Sequence, residues 1–240
     1  MRSTSVRALL AAVLALVLFG CSVEHHVTGP LPWQPQPPVA NSPVNAIRLF
    51  EWGWNHRDLE TIKSLLTDDF RFVFALGDSA GNAFRDDPFV RDDMLGCLER
   101  LFTGGGSMPP ATSIQLVLDP TLRALPDSRP GMNPGWHKEI VTSVDLTIKT
   151  AGDSEYRITG NARFFVVRGD SALIPQELGL EPDSTCWYIQ QWNDETLTGA
   201  GSVGPSRAIP RDLLVPQPTD NPTWGQLLAL YYQAPGAPRH

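Results

Sequence analysis

The sequence predicts an α+β domain, on three observations. Apolar residues recur at helical spacing between residues 44 and 66 and again between 90 and 101. From residue 140 onward they alternate with polar ones, the period of a strand with one buried face. Two such alternating runs are joined by Ala151-Gly152-Asp153-Ser154, a tight-turn composition. Helices early and strands late place helices against one face of an antiparallel sheet.

The elements follow in order. Ser42 is placed to cap a first helix, with Pro43 at its first position and Val44, Ile47, Phe50 and Trp54 on one face. Asn55-His56-Arg57 breaks it, and Asp58 caps a second helix carrying Leu59, Ile62, Leu65 and Leu66. Thr67-Asp68-Asp69 then turns into the aromatic strand Phe70-Arg71-Phe72-Val73-Phe74. Asp86 or Asp87, with Pro88, is expected to start a third helix lined by Val90, Met94, Cys97, Leu98 and Leu101 and ended by Gly104-Gly105-Gly106. Strands are expected at 114–118, 140–148, 156–166 and 186–192, with a long loop at 119–137. After an irregular stretch at 197–222, Thr223 caps an amphipathic helix. That helix is expected to dock back onto the domain through Trp224, Leu227, Leu228 and Tyr231.

Ahead of the domain, Arg2 and Arg7 precede an apolar run at residues 8–19, the composition of a secretory signal peptide at 1–20 and too short a run to span a bilayer. The run ends in Leu18-Phe19-Gly20-Cys21, which resembles the lipobox of bacterial lipoproteins. The resemblance implies that Cys21 is diacylated, becomes the new N-terminus and is acylated again. Several chains anchor durably, each buried methylene adding roughly 0.8 kcal/mol. Ser22, in place of Asp, resembles the sorting pattern of outer-membrane lipoproteins facing the periplasm. Residues 21–42, with Pro30, Pro32, Pro35, Pro37 and Pro38, read as a proline-rich tether extending roughly 3 Å per residue. His25-His26 within it lack further ligands for a metal.

Composition narrows the partners. The chain is 42% hydrophobic with seven tryptophans, ample for a core. Its net charge is −7, and loss of Arg2 and Arg7 with the signal leaves 17 basic against 26 acidic residues, a net of −9. No cluster of lysine or arginine lies outside the signal, which disfavours a nucleic-acid partner. Cys97 and Cys186 remain in an oxidising compartment as a possible disulfide or as two buried free thiols. A bridge would close a loop of about ninety residues and contribute roughly 4–5 kcal/mol in the chain-entropy picture.

The stretch from Asn45 to Phe74 carries a family resemblance. Ala46, Phe50 and Trp54, then Arg57-Asp58-Leu59, then Leu65-Leu66-Thr67-Asp68-Asp69-Phe70 resemble the opening of the nuclear transport factor 2-like superfamily, which includes SnoaL-like cyclases. Over residues 43–196 the resemblance implies a cone, a curved antiparallel sheet wrapped around the N-terminal helices with a pocket at the open end. The loop at 119–137 and the extension at 197–240, with its terminal helix, depart from that compact core. Such cones host isomerases, cyclases, hydratases and hydrolases, and also binding modules without chemistry, so the site must decide.

Residues suited to that chemistry are few. An acid–base pair in an apolar cavity is the requirement. Tyr156 is in phase with the apolar face of its run, His137 sits beside Trp136 at a strand start, and Asp145 lies on the opposite face from Val144 and Leu146. These three, and behind them His56, are the candidates for catalysis, and none has an evident companion. No Gly-x-Ser-x-Gly elbow, phosphate loop or His-Glu-x-x-His site occurs, and Gly104-Gly105-Gly106-Ser107 precedes two prolines as a loop would. Asp86-Asp87 and Asp92-Asp93 fit a helix start better than a calcium loop, so neither metal nor cofactor is expected. The sequence therefore points to an envelope lipoprotein that binds a small apolar ligand or a partner protein without catalysis. The alternatives are a small-molecule lyase, isomerase or hydrolase of the cyclase type, and a structural protein held through its last helix.

Overall fold

Ser42 and Asp58 start the first two helices. In the computed structural model the Ser42 hydroxyl caps α1 (Pro43–His56) by accepting from the Asn45 N–H at 3.1 Å. Asp58 caps α2 (Leu59–Leu65) by accepting from the Thr61 N–H at 3.0 Å. Between them Arg57 adopts the left-handed conformation, φ 53°, that closes a helix. The structure describes residues 36–84, 88–105, 108–170, 179, 183–196 and 222–232. The expected signal peptide, Cys21, most of the tether, the pair Asp86-Asp87, Gly106-Ser107 and residues 197–221 of the extension lie outside the described residues. The end of the expected tether already joins the fold, since the Ala40 carbonyl accepts from the Trp187 N–H at 2.8 Å.

Strand β1 (Leu66–Val73) leaves α2 without a turn, so Leu66 belongs to the sheet and the Thr67-Asp68-Asp69 stretch lies inside the strand, where its register shifts. The third helix starts later than expected. Phe89 pairs with Phe72 as strand β2 (Phe89–Val90), and α3 (Arg91–Thr103) begins only at Arg91. Burial of the Phe89 ring, 0% exposed, holds these residues in the sheet, and Val90, expected on the apolar face, is 40% exposed. Val90 at the cap position has no side-chain acceptor to offer, and the Asp93 carboxylate in the first turn accepts from the Val90 N–H at 3.1 Å.

The remaining strands are β3 (Ala111–Leu118), β4 (Leu125–Pro126), β5 (His137–Thr150), β6 (Glu155–Arg168) and β7 (Trp187–Thr196). They are followed by helix α4 (Trp224–Tyr231), and the described residues from Pro37 onward form one compact unit. The sheet order is β2-β1-β7-β6-β5-β3, with β4 beside β5. The β5–β6 hairpin turns at the expected Ala151-Gly152-Asp153-Ser154. One pair departs from the antiparallel expectation: β1 and β7 run parallel. Alternation along a strand sets which face is apolar and says nothing about the direction of its neighbour. Gly160, at φ +135° in the middle of β6, and a register shift at Phe165 and Val166 bend the long strands, giving a curved, unclosed sheet. The architecture is α+β, with the helices inside the curve.

The outer face of the sheet is partly covered by the loop after β4. Arg129 lies over the Phe165 ring at 4.3 Å and donates to Gln190 and Gln191, which explains why outward-facing Phe165 is only 3% exposed. The free edge is covered too. Asn55 bonds both the N–H and the carbonyl of Leu116, at 2.6 and 2.9 Å, Glu51 accepts from the Leu118 N–H, and Arg57 donates to the Ala111 carbonyl. Side chains of α1 and its cap thus stand where a further strand would pair with β3.

Candidate functional site

The inside of the curve is aromatic. Phe50 and Trp54 of α1 face Phe164 of β6 and Trp192 of β7, with ring centroids 5.3 Å apart for Phe50 against each of Phe164 and Trp192. Phe102 of α3 stands edge-on to Trp54 at 5.9 Å. Trp224, the first residue of α4, enters the middle of this group. It lies 4.2 Å from Trp192 and 5.1 Å from Trp54, edge to face with both. All three indoles are 0% exposed. The chain's own last helix packs onto this aromatic group, with Trp224, Leu227, Leu228 and Tyr231 buried as the sequence predicts.

A buried polar group receives the start of that helix. The first N–H groups of an α-helix have no partner within it. Here the Trp224 N–H bonds Thr196 Oγ1 at 3.0 Å, the Gly225 N–H bonds Asp194 Oδ2 at 2.7 Å, and the Gln226 N–H bonds Thr223 Oγ1 at 2.9 Å. Thr196 passes its own hydroxyl hydrogen to Asp194 Oδ1, and Thr223 passes its to Asp78 Oδ2. Asp78 is also held by the Ala80 N–H at 2.9 Å. Gly225 is required by close approach: a Cβ there would stand 2.5 Å from the Phe74 ring and 3.0 Å from Asp78 Oδ2. At the other end of α4, Arg100 Nε donates to the Tyr231 carbonyl. Two acids at the positive end and an arginine at the negative end complement the helix dipole.

Burial raises the Asp194 carboxyl above its usual pKa, its bonds to Thr196 and Gly225 pull it back, and nearby Asp78 raises it further. A buried acid with a raised pKa is a mark of a catalytic group. In this case both carboxylate oxygens already accept hydrogen bonds, and the group they serve is a helix end. The Tyr231 phenol, pushed up to about 12 by burial and then by Tyr156, donates to the Pro109 carbonyl at 2.7 Å.

The residues put forward for catalysis are not brought together. Tyr156 is buried at the turn end of the β5–β6 hairpin, opposite Ile148. His137 pairs with Val167 at the far end, about 35 Å away at strand rise, with its Nδ1 3.3 Å from the Asn133 carbonyl. Asp145 points outward and pairs with Arg157 at 2.9 Å. His56 stacks on Trp52 at 4.0 Å on the surface. Cys97 and Cys186 are free thiols. Cys97, in α3 under α4, donates to the Leu228 carbonyl at 3.4 Å, while Cys186 donates to Asp183 at 3.1 Å. Among the described residues no three of His, Cys, Asp and Glu stand close enough to share a metal ion. The alternation in the sequence ends the last strand at Trp192, which leaves Asp194 outside it. Yet it stands two residues beyond that tryptophan, in phase with the buried face.

No family model matches the chain, and no curated protein does. Among solved structures it is similar to a conserved protein from Planctomyces limnophilus DSM 3776, at 14% identity over 63% of this chain and 94% of that one, with a TM-score of 0.42. It is also similar to a nuclear transport factor 2-like superfamily protein from Salmonella enterica subsp. enterica serovar Typhimurium str. LT2, at 13% identity over 68% of this chain and 92% of that one, with a TM-score of 0.41. These are similarities of fold, and neither brings a function to this chain.

Proposed function

We propose that this protein is an envelope lipoprotein, acylated at Cys21 and held off the membrane by its proline-rich tether, whose cone is a non-catalytic binding module for a partner protein. The observation that carries this reading is the filled cone: Phe50, Trp54, Phe164, Trp192 and Trp224 take the space a small substrate would use. The reading as a lyase, isomerase or hydrolase would draw on the raised carboxyl of Asp194, but that group is engaged by Thr196 and the Gly225 N–H. With the cone occupied, recognition falls to the outer surface.

Two measurements test this. Fractionation of cells expressing the chain should find it in the membrane pellet, and Cys21→Ser should move it to the soluble fraction; a Cys21→Ser protein that still sediments with membrane overturns the anchor. For the module, photocrosslinking in cells from Asn161 on the outer face of β6 should give one discrete heavier species. Stoichiometric binding of a small apolar compound inside the native cone, or turnover of one, overturns the non-catalytic partner-binding reading.

A further inference from the structure

Helix α4 is eight residues long, too short to persist as a helix once away from its seat, so leaving the seat and unfolding are one event. Its first turn stands against the end of β7, where the Trp224 N–H bonds Thr196 Oγ1 at 3.0 Å. The seat is also where the core leaves polar groups unmatched. Among the described residues five buried side-chain atoms lack a hydrogen-bond partner, and three of them are the indole N–H groups of Trp54, Trp192 and Trp224. These are the rings that meet at the boundary between α4 and the cone. Asp78 and Asp194 are buried at the same boundary, and among the described residues neither has an ion-pair partner. A buried donor without an acceptor forfeits the water it would bond outside, so three of the five such costs among the described residues fall at this boundary.

We propose that α4 is a releasable plug, a two-state element that leaves and re-enters the cone as a unit while the sheet stays folded. Its release opens a chamber walled by Phe50, Trp54, Phe102 and Trp192. A segment can open separately from the global transition when the rest of the fold stands without it, and the strand order β2-β1-β7-β6-β5-β3 is complete without α4. The seat is shaped for a helix: acceptors on β7 for two successive N–H groups at one end, an arginine for a carbonyl at the other, and a slot for one indole between them. The inference goes beyond the partner-binding reading and holds whatever the outer surface binds.

Cys97 reports on the plug, because its thiol is 0% exposed and lies under the Leu228 carbonyl. In the full-length chain carrying Cys21→Ser and Cys186→Ser it is the only thiol. Its labelling by 4,4′-dithiodipyridine should proceed at low urea with a dependence on urea much shallower than that of global unfolding. Gly225→Ala, which drives a methyl into Phe74, should speed labelling more than tenfold. Thr223→Ala, which removes the cap and the bond to Asp78, should speed it about fivefold. In both variants the urea midpoint of the sheet, read by far-ultraviolet circular dichroism, should move little. Labelling with the full urea dependence of global unfolding overturns the proposal. So does a fall in the global midpoint that accounts for the faster labelling. Should Gly225→Ala fail to fold, Thr223→Ala decides on the same readouts.

Discussion

Asp194 and Cys97 show how burial sets the chemistry of single groups. The Asp194 carboxyl is raised in the folded protein, so the native state binds its proton more tightly than the unfolded chain does. Its contribution to stability is fully present below the unfolded carboxyl pKa of about 3.9 and is lost as pH rises through the raised folded value. Asp194→Asn removes that dependence and turns an amide toward the Gly225 N–H. The variant should be less stable than the parent by about 1–3 kcal/mol near pH 4, the cost of an unmatched buried donor. The gap should narrow by pH 7, as urea unfolding at several pH values would show; a gap constant with pH would mean that Asp194 titrates as an ordinary carboxyl. Burial pushes the Cys97 thiol up to about 12. At pH 8 it is protonated and shielded, so Ellman's reagent should label Cys186 in the native protein and leave Cys97 alone. Unfolding without reductant should release both, and a bridged pair would release neither. Tyr156, His137 and Asp145 were legible one at a time; their separation along one hairpin was not, because register is a property of two strands.

At the scale of elements, end signals proved readable where they are local. Ser42, Asp58 and Thr223 cap the helices their positions predict, each through its own side chain and a backbone N–H three residues on. Asp58→Ala should cost about 1 kcal/mol, because the Thr61 N–H loses its acceptor; no change in urea midpoint would mean that water replaces the carboxylate fully. The late start of α3 could not be read, since a distant partner decides it: Phe89 is drawn into pairing with Phe72. The same holds for Asn55. In the sequence it is a helix breaker, and in the fold it is a side chain standing in for a strand, holding Leu116 by both backbone groups. Asn55→Ala should therefore destabilise the domain by about 1–3 kcal/mol, more than a surface asparagine would. A loss under about 0.5 kcal/mol, within the usual range for surface changes, would show that Leu116 finds water at no cost.

For the whole molecule, the α+β class and the return of the last helix follow from periodicity, which is a local property. What fills the cone does not, because a tryptophan in an amphipathic helix looks the same whether it seals a rim or fills a centre. Trp192, which touches α1, β6 and α4, should cost about 3–5 kcal/mol in global stability when replaced by alanine. Trp224→Ala should cost clearly less in the same measurement, because it empties the plug and leaves the sheet intact; equal losses would make α4 part of one cooperative core. The covering of β3 by α1 matters most when many copies stand side by side. A protein tethered to a membrane meets its neighbours at high local density and in one orientation, the arrangement in which an open strand templates the next and a surface film grows. With Asn55, Glu51 and Arg57 already bonded along that strand, and only two residues in β2 at the opposite margin, neither of these two margins of the described sheet offers a long row of backbone groups to add to. If the anchor proposed for Cys21 is present, crowding at the membrane then adds no copy to the edge of another.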